Sequence, residues 1–240
     1  MKGRKEVLIL VEGSMDLLFV SGIIKDVVGQ NLANNNNRDD RATYGIHCYY
    51  KELKSHDVTL YLCSVGGKDN LENVFAEKIC EAEDRTDRIY LLMDSDAKDK
   101  VTSVVNKIRA GGLPPCNKSV AERIAIYYVG RNNLDHLIYD VVKDVVADKL
   151  DPRLRDIVEE EANNKDGKKK VYLVQYIARK VREEGSSDFW FDLGSFAKYL
   201  AENYRGQFLD RDEGLHRFVD DLKTTLDKLR RNSGDISITS

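Results

Sequence analysis

Four short apolar runs punctuate the first part of the chain: Glu6–Val11, Val58–Val65, Arg88–Met93 and Arg123–Val129. Each is rich in Val, Ile, Leu or Tyr and nearly continuous in hydrophobicity, which predicts strands covered on both faces of a parallel sheet. Between them lie helical patterns at Met15–Val28, Lys68–Asp84 and Lys98–Ala110. Strand, crossover helix and strand, repeated, predict an α/β fold: a mainly parallel four-stranded sheet flanked by helices. The stretch Gln30–Arg41, with its asparagine run Asn34–Asn37, has no periodicity and reads as a solvated connection or a mobile lid.

After Gly130 the pattern turns helical, dividing the chain into residues 1–130 and a C-terminal helical region, 131–240. Leu134–Lys149 and Pro152–Ala162 come first, then the polar linker Asn163–Lys170. Val171, Val174, Ala178 and Val181 line one further helical face, and Leu193, Phe196 and Leu200 another. Leu215, Phe218, Val219, Leu222, Leu226 and Leu229 then follow helical spacing closely. That stripe is expected to pack within the helical region, or to serve as a dimer or partner surface. The tail Asn232–Ser240 reads as frayed.

Composition narrows the classes. Within 240 residues, 38 basic and 41 acidic side chains leave a net charge of −3, which excludes coating of nucleic acid by bulk charge. No apolar run is long enough for a transmembrane helix, and the charged start Met1–Glu6 leads into a strand rather than a signal-peptide core. A soluble, cytoplasmic protein without membrane contact is the expectation. Cys48, Cys63, Cys80 and Cys116 show no zinc-type spacing with one another or with His47, His56, His136 and His216. They are expected to be free thiols packed as small hydrophobes, because a disulfide framework is unusual in a chain this long with so few cysteines.

Two acidic motifs sit at the carboxyl ends of predicted strands: Glu12-Gly13-Ser14-Met15-Asp16 after the first, and Asp94-Ser95-Asp96 after the third. A carboxylate beside a buried strand is costly unless a cation or several donors compensate it. In extended chain, Asp94 and Asp96 project to one side. With strand order 2-1-3-4, the first and third strands flank the switch-point crevice where open α/β sheets bind ligands, and Glu12 meets the pair there. Three such carboxylates make a hard oxygen site suited to Mg²⁺ or Mn²⁺. The plainer reading makes Asp94 and Asp96 caps of the next helix and Glu12 an ordinary loop acid.

These residues resemble the TOPRIM domain of topoisomerases, bacterial-type primases, OLD-family nucleases and small ribosomal-RNA maturation nucleases. The resemblance covers roughly residues 5–130 and rests on Glu12-Gly13 with Asp16, and on Asp94-Ser95-Asp96. It implies a Rossmannoid TOPRIM-like fold in which Asp94 and Asp96 coordinate Mg²⁺. Glu12 is then a metal ligand or general acid/base, and Asp16 a supporting acid. Ala97 and Lys98 stand where topoisomerase and primase versions carry a third acid and a glycine, and Asp99 falls one residue late. The shorter form is closer to stand-alone TOPRIM proteins and OLD-like nucleases. The chain is too short for a topoisomerase gate, and it lacks both a primase zinc module and a G-x-x-x-x-G-K-[ST] loop.

Secondary features extend the site. Gly66-Gly67-Lys68 opens a helix after the second strand and could steady a phosphate, or form only a tight turn capped by Asp69 or Asn70. Asp135 follows the fourth strand; the resemblance makes it an extra metal ligand, and the helix dipole explains it equally well. Lys168-Lys169-Lys170 with Arg179, Lys180 and Arg182 could contact a nucleic-acid backbone, although Glu159-Glu160-Glu161 offsets them. Tyr127, Tyr128, Tyr172 and Tyr176 read as core residues.

The expectation is a Mg²⁺- or Mn²⁺-dependent phosphodiester hydrolase acting on DNA or RNA through Glu12, Asp94 and Asp96. The alternatives are a binding module for nucleotide or nucleic acid working with a separate ATPase or other partner protein, and a nucleotidyl or phosphoryl transferase. A homodimer is compatible with either.

Overall fold

A computed structural model describes residues 5–29, 33–34, 46–53, 58–82, 86–130, 133–146 and 193–234. The strands are β1 (Lys5–Val11), β2 (Ala33–Asn34), β3 (Cys48–Leu53), β4 (Val58–Ser64), β5 (Thr86–Asp94) and β6 (Ile124–Val129). They form one six-stranded sheet in the order β2-β3-β4-β1-β5-β6. The β4-β1-β5-β6 portion is parallel throughout and carries the expected 2-1-3-4 order of the four apolar runs. The sheet is larger than expected: β3 adds antiparallel to β4, and β2 antiparallel to β3. Tyr49, Tyr50, Lys51 and Glu52 give β3 a polar-mixed sequence, without the unbroken apolar run that marks a strand buried on both faces.

Around the sheet lie α1 (Ser14–Ile23), α2 (Lys25–Val28), α3 (Leu71–Val74), α4 (Lys98–Ala110), α5 (Lys118–Glu122), α6 (Leu134–Val146), α7 (Leu193–Asn203), α8 (Arg205–Arg211) and α9 (Glu213–Gly234). The predicted helix Lys68–Asp84 is a composite: α3 is flanked by 3₁₀ turns at Lys68–Asn70 and Cys80–Ala82, with a π-helical turn at Phe75–Ile79.

Alternation along β1 sorts the core into two layers, as a period of two requires. Val7, Ile9 and Val11 face α1 and α6–α9, whereas Leu8 and Leu10 face the α3 segment, α4 and α5. The helices after β1 and β5 therefore leave on opposite faces, which makes the crevice between these two strands the switch point.

The apolar stripe of α9 corrects an expectation. Leu215, Phe218, Val219, Leu222 and Leu226 are buried in the same core as Val7, Ile9, Tyr90 and Leu92, so the helix covers the sheet itself. A sheet buried on both faces needs a second helical layer, and the C-terminal helices supply it. Polar contacts fix the seam: Tyr90 Oη donates to Thr225 Oγ1 at 2.8 Å and Tyr127 Oη to Asp221 Oδ2 at 2.7 Å. Asp212 joins the end of β6 to the start of α9, accepting the Gly130 N–H at 2.6 Å and the Leu215 N–H at 2.7 Å. Tyr127 packs on one core layer and Tyr128 on the other.

The cysteines are a second correction. They are paired as Cys48–Cys63 and Cys80–Cys116 rather than free. Cys48 and Cys63 are direct register partners across β3 and β4, with Cα atoms 4.0 Å apart. The other bond ties the end of the α3 segment to the α4–α5 connection. Sequence spacing carries no trace of either pairing, because topology alone brings the partners together.

No helix among the described residues is long and apolar enough to cross a membrane. The predicted helices Pro152–Ala162 and Val171–Val181, the linker Asn163–Lys170, the basic groups Lys168–Lys170, Arg179, Lys180 and Arg182, and Tyr172 and Tyr176 lie outside the described residues. So do most of Gln30–Arg41 and the tail beyond Gly234.

Candidate metal centre

Val11, the last residue of β1, pairs with Leu92, two residues before β5 ends at Asp94, so Glu12 and Asp94 emerge close together at this end of the sheet. One carboxylate oxygen each from Glu12, Asp94 and Asp96 lies within 4.8 Å of the other two. This is the grouping expected from the two motifs and the strand order. Glu12 and Asp94 are half-buried, and Asp96 is exposed.

Local structure places each acid. Asp94 is the last residue of β5, and a 3₁₀ turn over Ser95–Ala97 leads into α4. Its Oδ1 accepts the Leu134 backbone N–H at 2.9 Å, so the N-terminus of α6 points at the site. Asp94 is a cap, but of the helix after β6 rather than of the one that follows it. Ser95 Oγ donates to the Gly130 carbonyl and so holds β5 to the end of β6.

Burial, then the neighbouring charge of Asp16, pushes the Asp94 carboxyl up to about 8. Burial also raises Glu12, against an opposing hydrogen bond from the Lys68 backbone N–H. Oε2 of Glu12 is buried and meets no hydrogen-bond partner among the described residues. A buried carboxylate oxygen without a donor is costly. A cation between the three acids would offset that cost and reverse the mutual repulsion, and the all-oxygen donor set could hold a metal ion.

Asp16 and Asp135 stand outside the three-carboxylate group. Asp16 turns back on its own helix, accepting the Gly13 N–H at 2.7 Å. Burial lifts it to about 6, helped by the charges of Glu12 and Asp135. Asp135 lies in the first turn of α6, half-buried and raised by burial.

The glycine turn closes the other side of the crevice. Gly66 and Gly67 have φ of 76° and 107°, values that side-chain-bearing residues rarely adopt. The Gly67 N–H donates to the Glu12 carbonyl at 2.9 Å. Lys68 Nζ donates to Asp96 Oδ2 at 2.7 Å. Asn70 does not cap the turn; its Nδ2 donates to the Val65 carbonyl at 2.7 Å. Sequence reasoning missed Ser64, whose Oγ donates to the Glu12 carbonyl and accepts the Gly66 N–H, each at 3.2 Å. Its place between a buried strand and two glycines was the available signal.

No protein-family model and no curated protein matches the chain. Among solved structures, the crystal structure of a hypothetical protein from Pyrococcus horikoshii OT3 aligns with 96% of this chain and 100% of its own, at 16% identity and a TM-score of 0.54. That likeness establishes a shared α/β fold.

Proposed function

We propose that the protein is a Mg²⁺- or Mn²⁺-dependent phosphodiester hydrolase acting on DNA or RNA through a TOPRIM-like carboxylate site. The observation that carries this reading is the convergence of Glu12, Asp94 and Asp96 at the sheet's switch point, with a buried oxygen of Glu12 that has no hydrogen-bond partner among the described residues. Asp94 and Asp96 would hold the ion, with Glu12 either a third ligand or the general base towards the attacking water. Hard divalent ions favour such oxygen donors, and when bound they polarise phosphate oxygens and lower the pKa of water.

The chain's own groups supply the rest. Where Glu12 serves as general base rather than as a ligand, its half-buried carboxylate, raised by burial, takes the proton of the attacking water. The N–H groups of Gly66, Gly67 and Lys68 are already bound within the turn, to Ser64 Oγ, the Glu12 carbonyl and the Glu12 carboxylate, so phosphate recognition at this edge falls to the Lys68 ammonium. Lys68 supplies positive charge at the same edge. Asp16 acts on the centre through its charge beside Asp94, and Asp135 acts in turn on Asp16.

The deciding experiment is cleavage of labelled single- and double-stranded DNA and RNA with Mg²⁺ or Mn²⁺, comparing wild type with Asp94→Asn. Metal-dependent cutting lost in the variant is expected. Binding of nucleic acid without cutting by either protein would overturn the hydrolase reading in favour of a binding module that works with a partner protein.

A further inference from the structure

We propose that Lys68 is a stand-in cation: its ammonium neutralises the carboxylate centre in the ion-free protein and is displaced towards a substrate phosphate when a divalent ion binds. The inference rests on the metal-centre reading above and gives one residue of that centre two stations.

Three observations carry it. First, Lys68 Nζ sits 2.7 Å from Asp96 Oδ2, on a carboxylate of the three-acid group itself. A divalent ion held by Asp96 would bring two positive charges close to that ammonium and weaken its hold on the carboxylate. Second, the pair is breakable: the two side chains are 33% and 53% exposed, and ion pairs at such exposure contribute little. Third, the root of the lysine is fixed beside Glu12. The Lys68 backbone N–H points at the Glu12 carboxylate, the Gly67 N–H donates to the Glu12 carbonyl, and Ser64 Oγ joins that carbonyl to Gly66.

The second station follows from what surrounds the released ammonium. Asp69 already pairs with Lys100 at 3.8 Å, and Glu72 with Lys107 at 2.7 Å. The glycine turn faces open space, since a Cβ built on Gly67 would meet nothing within 4 Å. Because the N–H groups of this turn are already taken, an anion at this edge is held by the freed ammonium alone, and a phosphate oxygen has the charge and acceptor geometry for it. Ion binding thereby frees the group that recognises substrate, which orders the two events.

Removing the lysine charge should move two affinities in opposite directions, whereas a merely structural lysine would weaken both or neither. The test is calorimetric titration of Mn²⁺ into wild type, Lys68→Gln and Asp94→Asn, followed by thymidine 5′-monophosphate into the Mg²⁺-loaded wild type and Lys68→Gln. Circular dichroism verifies that each variant is folded. Lys68→Gln is expected to bind Mn²⁺ roughly fivefold more tightly, the worth of an exposed ion pair that no longer has to be broken. The same variant should bind the nucleotide at least about tenfold more weakly, through loss of a charge-assisted hydrogen bond. Mn²⁺ affinity equal to or below wild type in Lys68→Gln, or unchanged nucleotide affinity, overturns the displacement and leaves the metal centre standing. Failure of wild type to bind Mn²⁺, or equal binding by Asp94→Asn, overturns the metal centre and the displacement with it.

Discussion

Asp94 Oδ1 accepts the Leu134 backbone N–H at 2.9 Å, so the last residue of β5 caps the helix that follows β6. The bond gives one carboxylate two separable roles. It fastens α6 to the sheet, and it fixes a carboxylate that has an oxygen within 4.8 Å of those of Glu12 and Asp96.

Asp94→Asn separates those roles. The asparagine amide oxygen can still accept the Leu134 N–H, while the charge needed by a cation is gone. The expected outcome is a folded protein with a melting temperature at or above wild type at neutral pH, metal-dependent cleavage reduced at least ~100-fold, and weakened Mn²⁺ binding. Differential scanning calorimetry, a cleavage time course and Mn²⁺ titration check the three parts.

The pH dependence follows from the same buried acids. Burial and then the charge of Asp16 raise Asp94 from 3.8 to about 8, and burial raises Asp16 to about 6. Between its unfolded and folded values the native protein holds a proton that the unfolded chain releases. The stability contributed by neutral Asp94 is therefore complete below pH 3.8 and lost as pH rises through about 8. Melting of the ion-free protein should accordingly fall between about pH 5 and about pH 9, and Asp94→Asn should flatten that fall. Mn²⁺ binding at neutral pH should release up to about one proton, read from titrations in two buffers of different ionisation enthalpy.

The disulfides predict a clean chemical result. Alkylation without reductant should label none of the four cysteines, and alkylation after reduction and unfolding should label all of them. With sequence separations of 15 and 36, the two bonds should stabilise by about 3 and about 4 kcal/mol, so a reductant that breaks both should lower the melting temperature by more than about 10 degrees. Such bonds are rare in the cytosol of mesophiles. The oxidation state in the producing cell therefore also tests the cytoplasmic placement expected from the sequence.

How legible the molecule was from its sequence depended on the kind of signal. The parallel strands announced themselves because burial on both faces demands unbroken runs such as Val7–Val11 and Ile89–Met93. Glu12, Asp94 and Asp96 were legible because charge directly after such a run is conspicuous. β3 was not: an antiparallel strand near the sheet's edge can tolerate Lys51 and Glu52, so its pattern is weak. Its absence from the expectation also hid the Cys48–Cys63 pair. The Leu134 N–H on Asp94 and the bridging by Ser64 were beyond reach for another reason. A backbone donor has no sequence identity, and a lone serine has too many uses.

The seam between β6 and α9 yields the last prediction. Gly214 lies in the first turn of α9, where an added Cβ would collide with the Tyr128 carbonyl oxygen, a backbone atom that cannot step aside without moving β6. The neighbouring Asp212 fixes the helix there through its bonds to the Gly130 and Leu215 N–H groups, so the helix cannot readily back away. Gly214→Ala should therefore destabilise the protein by at least about 2 kcal/mol despite the helix-favouring residue it introduces. Gly206→Ala, on α8, is the matched control: its Cβ would enter open space, and it should be neutral or mildly stabilising. Urea midpoints at constant m-value compare the two. If Gly214→Ala matched Gly206→Ala, the close approach of α9 to β6 would be wrong. The sheet's second helical layer would then be seated differently from the arrangement described above.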